Sequence, residues 1–221
     1  MKSKVDNALE ILRRHGLKVF LQYSARKTIQ SIWGKNCYKR VFLFELSAPK
    51  PAPDSIEHAR NHVFRFATRE DLEDLRKDAK WDILDADIAA FKKGDRCLLQ
   101  EDGEKLVGYA WLASSSLVEV GWGFHINMPD DTVYNYKGFT AEEYRGKGFQ
   151  PLRHLKLLEH VRETGQKRLF GYVDHLNLRS LRGVRKSGYR QVGVLRCINL
   201  RGKFRFSLKV DNDNWGLERR T

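Results

Sequence analysis

The spacing of apolar residues along the chain predicts both helices and strands. Between Asp6 and Ile32, apolar residues recur among basic ones at helical spacing, with an interruption near His15 and Gly16. Four later stretches carry helical patterns or helix-start signals, at residues 68–79, 87–93, 149–164 and 178–187. Thr68 is a good N-cap for the first of these four helices.

Strand patterns occupy most of the remaining chain. The predicted strands cover residues 38–46, 63–67, 96–100, 105–113, 117–127, 132–140, 168–173, 191–200 and 203–210. The third and fourth form a predicted hairpin across a turn at 101–104, and the fifth and sixth form a second one across Met128-Pro129-Asp130-Asp131. This order predicts an α/β fold of the α+β type. Its central sheet would be mixed, mostly antiparallel and flanked by helices, rather than doubly wound.

Prolines 49, 51 and 53 predict a stiff connector, since proline is unsuited to a helix interior and to an inner strand. A domain boundary is therefore predicted just after them. Residues 1–53 would form an N-terminal extension of amphipathic helix and strand, and residues 54–221 the main domain. The extension's helix is interpreted as packing on the main domain; contact with a membrane surface or a partner helix is the alternative.

The chain has 221 residues, of which 41% are hydrophobic and 31% charged, as expected for one well-buried domain with an accessory segment. No apolar run is long enough to span a bilayer, and the N-terminus is charged, so a soluble, cytoplasmic protein is expected. The cysteines at 37, 97 and 197 are odd in number and far apart, which disfavours a disulfide framework. None has a histidine at metal-ligand spacing, so no metal site is expected.

The formal net charge of +13 indicates an anionic partner. Candidate partners are nucleic acid, anionic lipid and phosphorylated small molecules. Nucleic acid is disfavoured because the chain has no recognised DNA- or RNA-binding motif and its basic residues are dispersed. A phosphorylated small molecule would use part of this charge and leave the surplus unexplained.

Residues 138–149 combine the features of a phosphate-binding turn. A predicted strand ends there and a helix begins, and the first N–H groups of a helix lack intrahelical partners. Gly146 and Gly148 allow the backbone to curve around an oxyanion, and Arg145 and Lys147 add positive charge. These features predict a site for a diphosphate.

Two common phosphate-binding motifs are excluded by spacing. A Walker A loop needs Ser or Thr after its Gly-Lys, whereas Lys147 is followed by Gly148. A dinucleotide fingerprint needs a third glycine where the chain has Pro151, and it belongs in a parallel βαβ unit.

The string Phe139-Thr140-x-x-x-Tyr144-Arg145-Gly146-Lys147-Gly148-Phe149 resembles motif A of the GNAT (GCN5-related) N-acetyltransferase superfamily. The stretch from Asn177 to Tyr189 resembles its second signature, a helix that opens on an Asn and ends in a Lys-x-Gly-aromatic turn. The resemblance covers about residues 63–210. It implies an acyl-CoA N-acyltransferase fold, acetyl-CoA as the co-substrate, and a bacterial enzyme of the EC 2.3.1 type.

The resemblance also implies roles for single residues. In the family, the strand before the turn splays from its parallel neighbour and holds the pantetheine arm through backbone groups. The turn amides hold the diphosphate, and the Asn of the second signature reaches the coenzyme arm from the other side of the cleft. The implied coenzyme-binding residues are Phe139, Thr140, Ala141, Tyr144, Arg145, Gly146, Lys147, Gly148, Phe149, Asn177 and Ser180.

Direct acyl transfer, which the resemblance implies, requires a base. An alkylamine with a pKa of roughly 10 must lose a proton before it attacks a thioester. Glu119 and His125 alternate in phase on one predicted strand and so share a face, which makes them candidates. Asp174 and His175, at the end of a later strand, are further candidates. A solvated sheet face and a satisfied loop are the alternative interpretations of these two pairs.

The leaving thiolate needs a proton donor. The family often supplies a tyrosine in the second signature, but that position is Val184 here. Tyr172, Tyr136 or a water molecule is the candidate replacement. Nearby aromatic residues, which are interpreted first as sheet packing and second as a stacking surface for a sugar or aromatic amine, are Trp111, Trp122, Phe124, Tyr134 and Tyr136.

The sequence therefore predicts transfer of an acetyl or other acyl group from acetyl-CoA to a primary amine in a ternary complex, without a metal. Family context suggests an amino sugar as acceptor, and small amines, amino acids and protein N-termini stay open, as do the acyl length and the choice between monomer and homodimer. One alternative is a catalytically silent acyl-CoA-binding module, motivated by Val184. The other is a basic nucleic-acid-binding protein.

Overall fold

The computed structural model describes residues 4–33, 37–48, 57, 59, 61–121, 124–200, 203–211 and 215–219. Five α-helices are defined in this part of the chain: α1 (Lys4–Trp33), α2 (Arg69–Lys77), α3 (Asp85–Lys92), α4 (Phe149–Glu163) and α5 (Leu178–Lys186). The interruption predicted in the first helix is present as a kink at Gly16, whose φ of 79° is not helical. Thr68 caps α2 as predicted, in a reciprocal pair of hydrogen bonds with Asp71.

Eleven strands are defined in the described residues. They are β1 (Tyr38–Leu46), β2 (His62–Phe66), β3 (Arg96–Asp102), β4 (Lys105–Leu112), β5 (Leu117–Gly121), β6 (Phe124–Asn127), β7 (Thr132–Thr140), β8 (Arg168–Asp174), β9 (Arg190–Leu200), β10 (Lys203–Val210) and β11 (Gly216–Arg219). Eight form one sheet in the order β10-β9-β1-β8-β7-β4-β3-β2, and three form a small sheet in the order β11-β6-β5. Within the large sheet only β7 and β8 pair in parallel. The predicted mixed, mostly antiparallel sheet with flanking helices is confirmed.

The strand β1, which the sequence placed in an N-terminal extension, lies near the middle of the large sheet. It pairs with β8 on one side and β9 on the other. Leu43, Phe44 and Leu46 of this strand are almost completely buried. The strand β1 is thus part of the main sheet, although it precedes the boundary predicted after residue 53. Most of the predicted proline connector lies outside the described residues.

The second predicted hairpin is wrong. The strands β5 and β6, which both lie within the single strand predicted at 117–127, pair with each other in the small sheet. The strand after Met128-Pro129-Asp130-Asp131 instead pairs with β4 and β8 in the large sheet. The turn was placed correctly, but long-range pairing gave the two flanking segments different partners.

The strands β7 and β8 separate partway along their length. Their parallel pairing runs from Thr132 opposite Arg168 to Tyr134 opposite Phe170. Beyond that rung β7 continues beside β4, and β8 continues beside β1. A gap therefore opens between two adjacent strands at their carboxyl ends. This is the splay that the family resemblance implied.

Hydrophobic clusters cover both faces of the large sheet. On one face, Leu157, Leu158 and Val161 of α4 and Leu181 of α5 pack against buried side chains of the sheet. On the other face, the small sheet covers the β1–β9 side, and α2 and α3 cover the β3–β4 side. The open ends of β7 and β8 thus lie between two helices on one face and two separate layers on the other. None of the described helices is both long enough and apolar enough to cross a bilayer.

Candidate functional site

A cavity of about 590 Å³ lies where β7 passes into α4 and next to the start of α5. Nine of the eleven residues predicted to bind the coenzyme line this single cavity: Phe139, Thr140, Tyr144, Arg145, Gly146, Gly148, Phe149, Asn177 and Ser180. Residues far apart in sequence are therefore brought together around one space.

The turn before α4 has the backbone shape expected of an oxyanion site. Gly146 and Gly148 have φ angles of 86° and 79°, in the left-handed region that favours glycine. Gly148 is the N-cap of α4 and makes no side-chain cap hydrogen bond. Within the described residues, the N–H groups of Gly146, Lys147 and Gly148 have no hydrogen-bond acceptor. Several free donors and the positive end of a 15-residue helix therefore meet here.

The two basic residues of the turn differ in position. Arg145 lines the cavity, and its Nε donates to the carbonyl of Thr140 at 3.0 Å, which braces the turn against the end of β7. Lys147 is exposed, lies outside the cavity lining and places its Nζ 5.3 Å from the ring centroid of Tyr144. Of these two residues, Arg145 is the one that presents its charge at the cavity.

Ala141 does not lie where the resemblance implied. Its side chain is buried, and its N–H already donates to the carbonyl of Val107 at 2.9 Å. This residue anchors the turn to β4 instead of lining the cavity. Phe139 and Thr140, the two residues before it, do line the cavity.

A buried arginine that sequence reasoning missed fixes the end of β7. Arg153 of α4 is 1% exposed and donates to the carbonyl of Phe139 at 2.8 Å, to the Thr140 hydroxyl, and to Gln100 Oε1 at 2.7 Å. Burial lowers the pKa of Arg153 to about 9, which still leaves the guanidinium charged at neutral pH. The approach is tight, because a Cβ on Gly108 would lie 2.3 Å from the Phe139 carbonyl oxygen.

The helix α5 forms the opposite wall. Asn177 is its N-cap, and the side chain accepts a hydrogen bond from the N–H of Ser180 at 3.1 Å. The side-chain nitrogen Nδ2 of Asn177 makes no hydrogen bond within the described residues, whereas its backbone N–H donates to the carbonyl of Asp174 at 2.9 Å. Sequence reasoning missed three basic residues of this wall, Arg179, Arg182 and Lys186, although their i, i+3, i+7 spacing was visible.

The predicted bases Glu119 and His125 lie outside the cavity lining, on the small sheet. They are directly opposite each other on β5 and β6. Their side chains therefore share a face, as predicted, but through cross-strand pairing rather than alternation along one strand. His125 Nδ1 is buried without a hydrogen-bond partner among the described residues.

Tyr172 lies on β8, at the splay, and also outside the cavity lining. Its ring stacks on that of Tyr134 at a centroid distance of 5.8 Å, and the two hydroxyl groups influence each other's pKa. Burial raises the pKa of Tyr172, the neighbouring Tyr134 hydroxyl offsets this in part, and the charge of Glu119 raises the pKa further. Tyr172 therefore stays protonated at neutral pH, as a proton donor must.

Tyr136 stacks in the same row of aromatic rings, but its hydroxyl already has a hydrogen-bond partner. Its ring stacks on Tyr134 at 5.3 Å, and its hydroxyl donates to Asp95 at 2.6 Å. Of the other aromatic residues considered, Trp111 is buried in the core and Trp122 lies outside the described residues.

Asp174 and His175 are committed to other contacts. Arg26 of α1 donates to both oxygens of Asp174, at 2.8 and 3.0 Å. Although burial acts in the opposite direction, the adjacent His175 ring and the hydrogen bonds from Arg26 hold the pKa of Asp174 well below its ordinary value. A carboxylate this acidic is a poor proton acceptor. The ring of His175 lies 3.1 Å from the carbonyl oxygen of Arg40.

Val184, at the family's usual tyrosine position, packs against the core beneath α5. Tyr189 is buried on the same face of the sheet, with its hydroxyl 3.4 Å from Asn135 Oδ1. Within the described residues, no group of His, Cys, Asp and Glu side chains could hold a metal ion.

Distant structural neighbours have been identified, but no protein-family model and no curated protein matches the chain. Among solved structures, it is similar to a GCN5-related N-acetyltransferase-like protein from Streptococcus suis, with 13% identity and a TM-score of 0.48 over 79% of this chain and 67% of that one. A Drosophila protein is 14% identical, with a TM-score of 0.49 over 82% of this chain and 58% of that one. The putative acetyltransferase yncA from Salmonella typhimurium, solved with its cofactor acetyl-CoA, is 18% identical, with a TM-score of 0.45 over 69% of this chain and 95% of that one. At such distances, no activity transfers to this chain from these proteins by similarity.

Proposed function

We propose that the chain is a GNAT-superfamily N-acyltransferase that moves an acetyl group from acetyl-CoA to a primary amine. One observation carries this proposal: the splayed ends of β7 and β8 open beside a cavity whose rim is a turn of unpaired N–H groups. Such a turn suits a diphosphate, and a gap between two strands suits an extended arm. Coenzyme A combines a diphosphate with an extended pantetheine arm.

The coenzyme would bind through residues of this chain that are already held in place. The free N–H groups of residues 146–148 and the guanidinium of Arg145 face the diphosphate position. The backbone of Phe139 and Thr140, fixed from behind by Arg153, would position the arm along the gap. Donors that are fixed before binding lose little conformational entropy when the ligand arrives.

Deprotonation of the amine would fall to Glu119, with His125 opposite it as the alternative base. Glu119 is exposed, so an incoming amine can reach it, and its charge acts on Tyr172 at the splay. In direct transfer, the amine nitrogen forms a bond to the thioester carbon while the carbon–sulfur bond breaks. The proton released by the amine passes to the base, directly or through water.

The departing thiolate would take its proton from Tyr172. Because the Tyr172 ring stacks on that of Tyr134 and burial raises the pKa of the Tyr172 hydroxyl, the donor is both oriented and protonated. This assignment replaces the tyrosine that the family often places where this chain has Val184.

We propose a small amine as the acceptor, and an amino sugar could stack on the row of Tyr134, Tyr136 and Tyr172.

Calorimetry with acetyl-CoA, followed by an amine panel with mass spectrometry of the products, tests the proposal. We expect acetyl-CoA binding and acetylation of at least one amine. Arg145→Glu combined with Gly146→Val and Gly148→Val should abolish binding, since it reverses the charge and places β-branched residues at positive φ. Glu163→Gln, an exposed residue at the opposite end of the 15-residue α4, serves as the control. Unchanged binding by the triple variant, or no binding by the folded wild type, rules the assignment out.

A catalytically silent acyl-CoA-binding module is the second candidate. It is favoured by Val184 and by the position of Glu119, His125 and Tyr172 outside the cavity lining. Acetyl-CoA binding without release of free CoA across the whole amine panel would support this module and exclude the enzyme.

A further inference from the structure

Three basic side chains of α5 line the same cavity as the glycine turn. Arg179, Arg182 and Lys186 lie at positions i, i+3 and i+7, and so on one face of the helix. All three residues are exposed, and within the described part of the chain none forms an ion pair with an acidic side chain. Their charge is therefore available to a ligand.

Helix stability does not explain the position of Arg179. Asn177 is the N-cap of α5, so Arg179 lies in the first turn. A cation there is opposed by the positive end of the helix dipole. By contrast, Lys186 in the last turn complements the dipole.

The basic face adjoins the diphosphate turn because α5 touches the start of α4. A Cβ on Gly183 would lie 2.4 Å from Gln150 Oε1, so the two helices approach each other closely at this point. Gln150 is in the first turn of α4, directly after the turn glycines. The cavity therefore has two electropositive walls, one of backbone N–H groups and one of side-chain cations.

We propose that Arg179, Arg182 and Lys186 bind the ribose 3′-phosphate of coenzyme A, so that the protein distinguishes coenzyme A from 3′-dephospho-coenzyme A. This inference rests on the proposed function, which supplies the diphosphate at the turn. Coenzyme A carries a second phosphate on its ribose, apart from the diphosphate, and guanidinium groups pair with phosphate through two hydrogen bonds. The assignment also accounts for part of the net charge of +13.

Calorimetric titration of the full chain with coenzyme A and with 3′-dephospho-coenzyme A tests the inference. The wild type should bind coenzyme A about 10- to 100-fold more tightly, as expected when charge-assisted phosphate contacts are lost. The variant Arg179→Gln/Arg182→Gln/Lys186→Gln should bind both ligands within about threefold of each other. Added salt should weaken coenzyme A binding more steeply than dephospho-coenzyme A binding.

Arg185→Gln is the matched control, because Arg185 is an exposed cation on the same helix that does not line the cavity. It should keep the wild-type preference. Equal binding of both ligands by the wild type, a preference that survives in the triple variant, or an equal loss in the control each overturns the inference and leaves the proposed function standing. Failure of both ligands to bind the folded wild type refutes the proposed function itself. Because all three residues are exposed, single substitutions provide folded variants if the triple variant is unstable.

Discussion

Gly108→Ala should destabilise the protein through one steric contact. The new Cβ would lie 2.3 Å from the Phe139 carbonyl oxygen and 2.8 Å from Arg153 Nη1. Ordinary contacts of this kind are 3.4 Å or longer, so β4 and β7 must move apart by about 1 Å. Such overpacking typically costs about 1–3 kcal/mol. Weakening the hydrogen bonds of buried Arg153 adds about 1 kcal/mol, for a total of about 2–4 kcal/mol.

Thermal unfolding followed by circular dichroism measures this effect. For a chain of this size, each kcal/mol lowers Tm by about 2–4 °C, so a fall of about 5–15 °C is expected. Gly138→Ala is the matched control on β7, because its Cβ would meet nothing nearer than the Tyr109 carbonyl oxygen at 4.0 Å. The control should shift Tm by less than about 2 °C. If Gly108→Ala melts within about 2 °C of the wild type, the steric reasoning is wrong.

The other predictions concern catalysis, capping, an ion pair and thiol chemistry. Tyr172→Phe should lower kcat at neutral pH by about 100-fold or more and leave acetyl-CoA affinity within about twofold, in steady-state kinetics and calorimetry; an unchanged kcat removes Tyr172 as the proton donor. Thr68→Ala should cost about 1 kcal/mol in urea unfolding, since it removes the cap of α2. The pKa of Asp174 is lower in the folded state than in the unfolded state. The pairing of Asp174 with Arg26 therefore stabilises the folded protein at pH values above the ordinary pKa of 3.8, and this stabilisation is lost as the pH falls through the folded-state pKa. Arg26→Ala should therefore cost about 1 kcal/mol at pH 7 and progressively less in acid; a constant cost contradicts the pairing. The three buried cysteines should react with a thiol reagent only after unfolding.

Local signals predicted the elements well. The bounds of β1 agree with the sequence pattern, and the N-cap at Thr68 and the kink at Gly16 were visible because capping and glycine conformation depend on near neighbours. The glycine turn before α4 was equally local, since its glycine spacing and the helix start fall within 138–149.

Strand partners and buried polar contacts could not be predicted in the same way. The turn at 128–131 resembles a hairpin connection, but the strand after it finds β4 and β8, a choice decided by long-range packing. In the sequence, Arg153 looks like any other basic residue of a helix. Its burial and its hydrogen bond to the Phe139 carbonyl show that it holds the end of β7. Likewise Lys137, with a φ of 44°, marks an irregularity of β7 that no sequence pattern indicated.

The position of β1 has a consequence for how the polypeptide acquires its native state. Val41 pairs with Asp174 and Tyr38 with Ile198, so both neighbours of this strand are synthesised long after it. Pairings so distant in sequence close large loops and slow the search for the native topology. During translation, the apolar strand must wait unpaired until the segments after residue 167 leave the ribosome. A chaperone would protect β1 most during this interval, while its apolar residues have no partner strand.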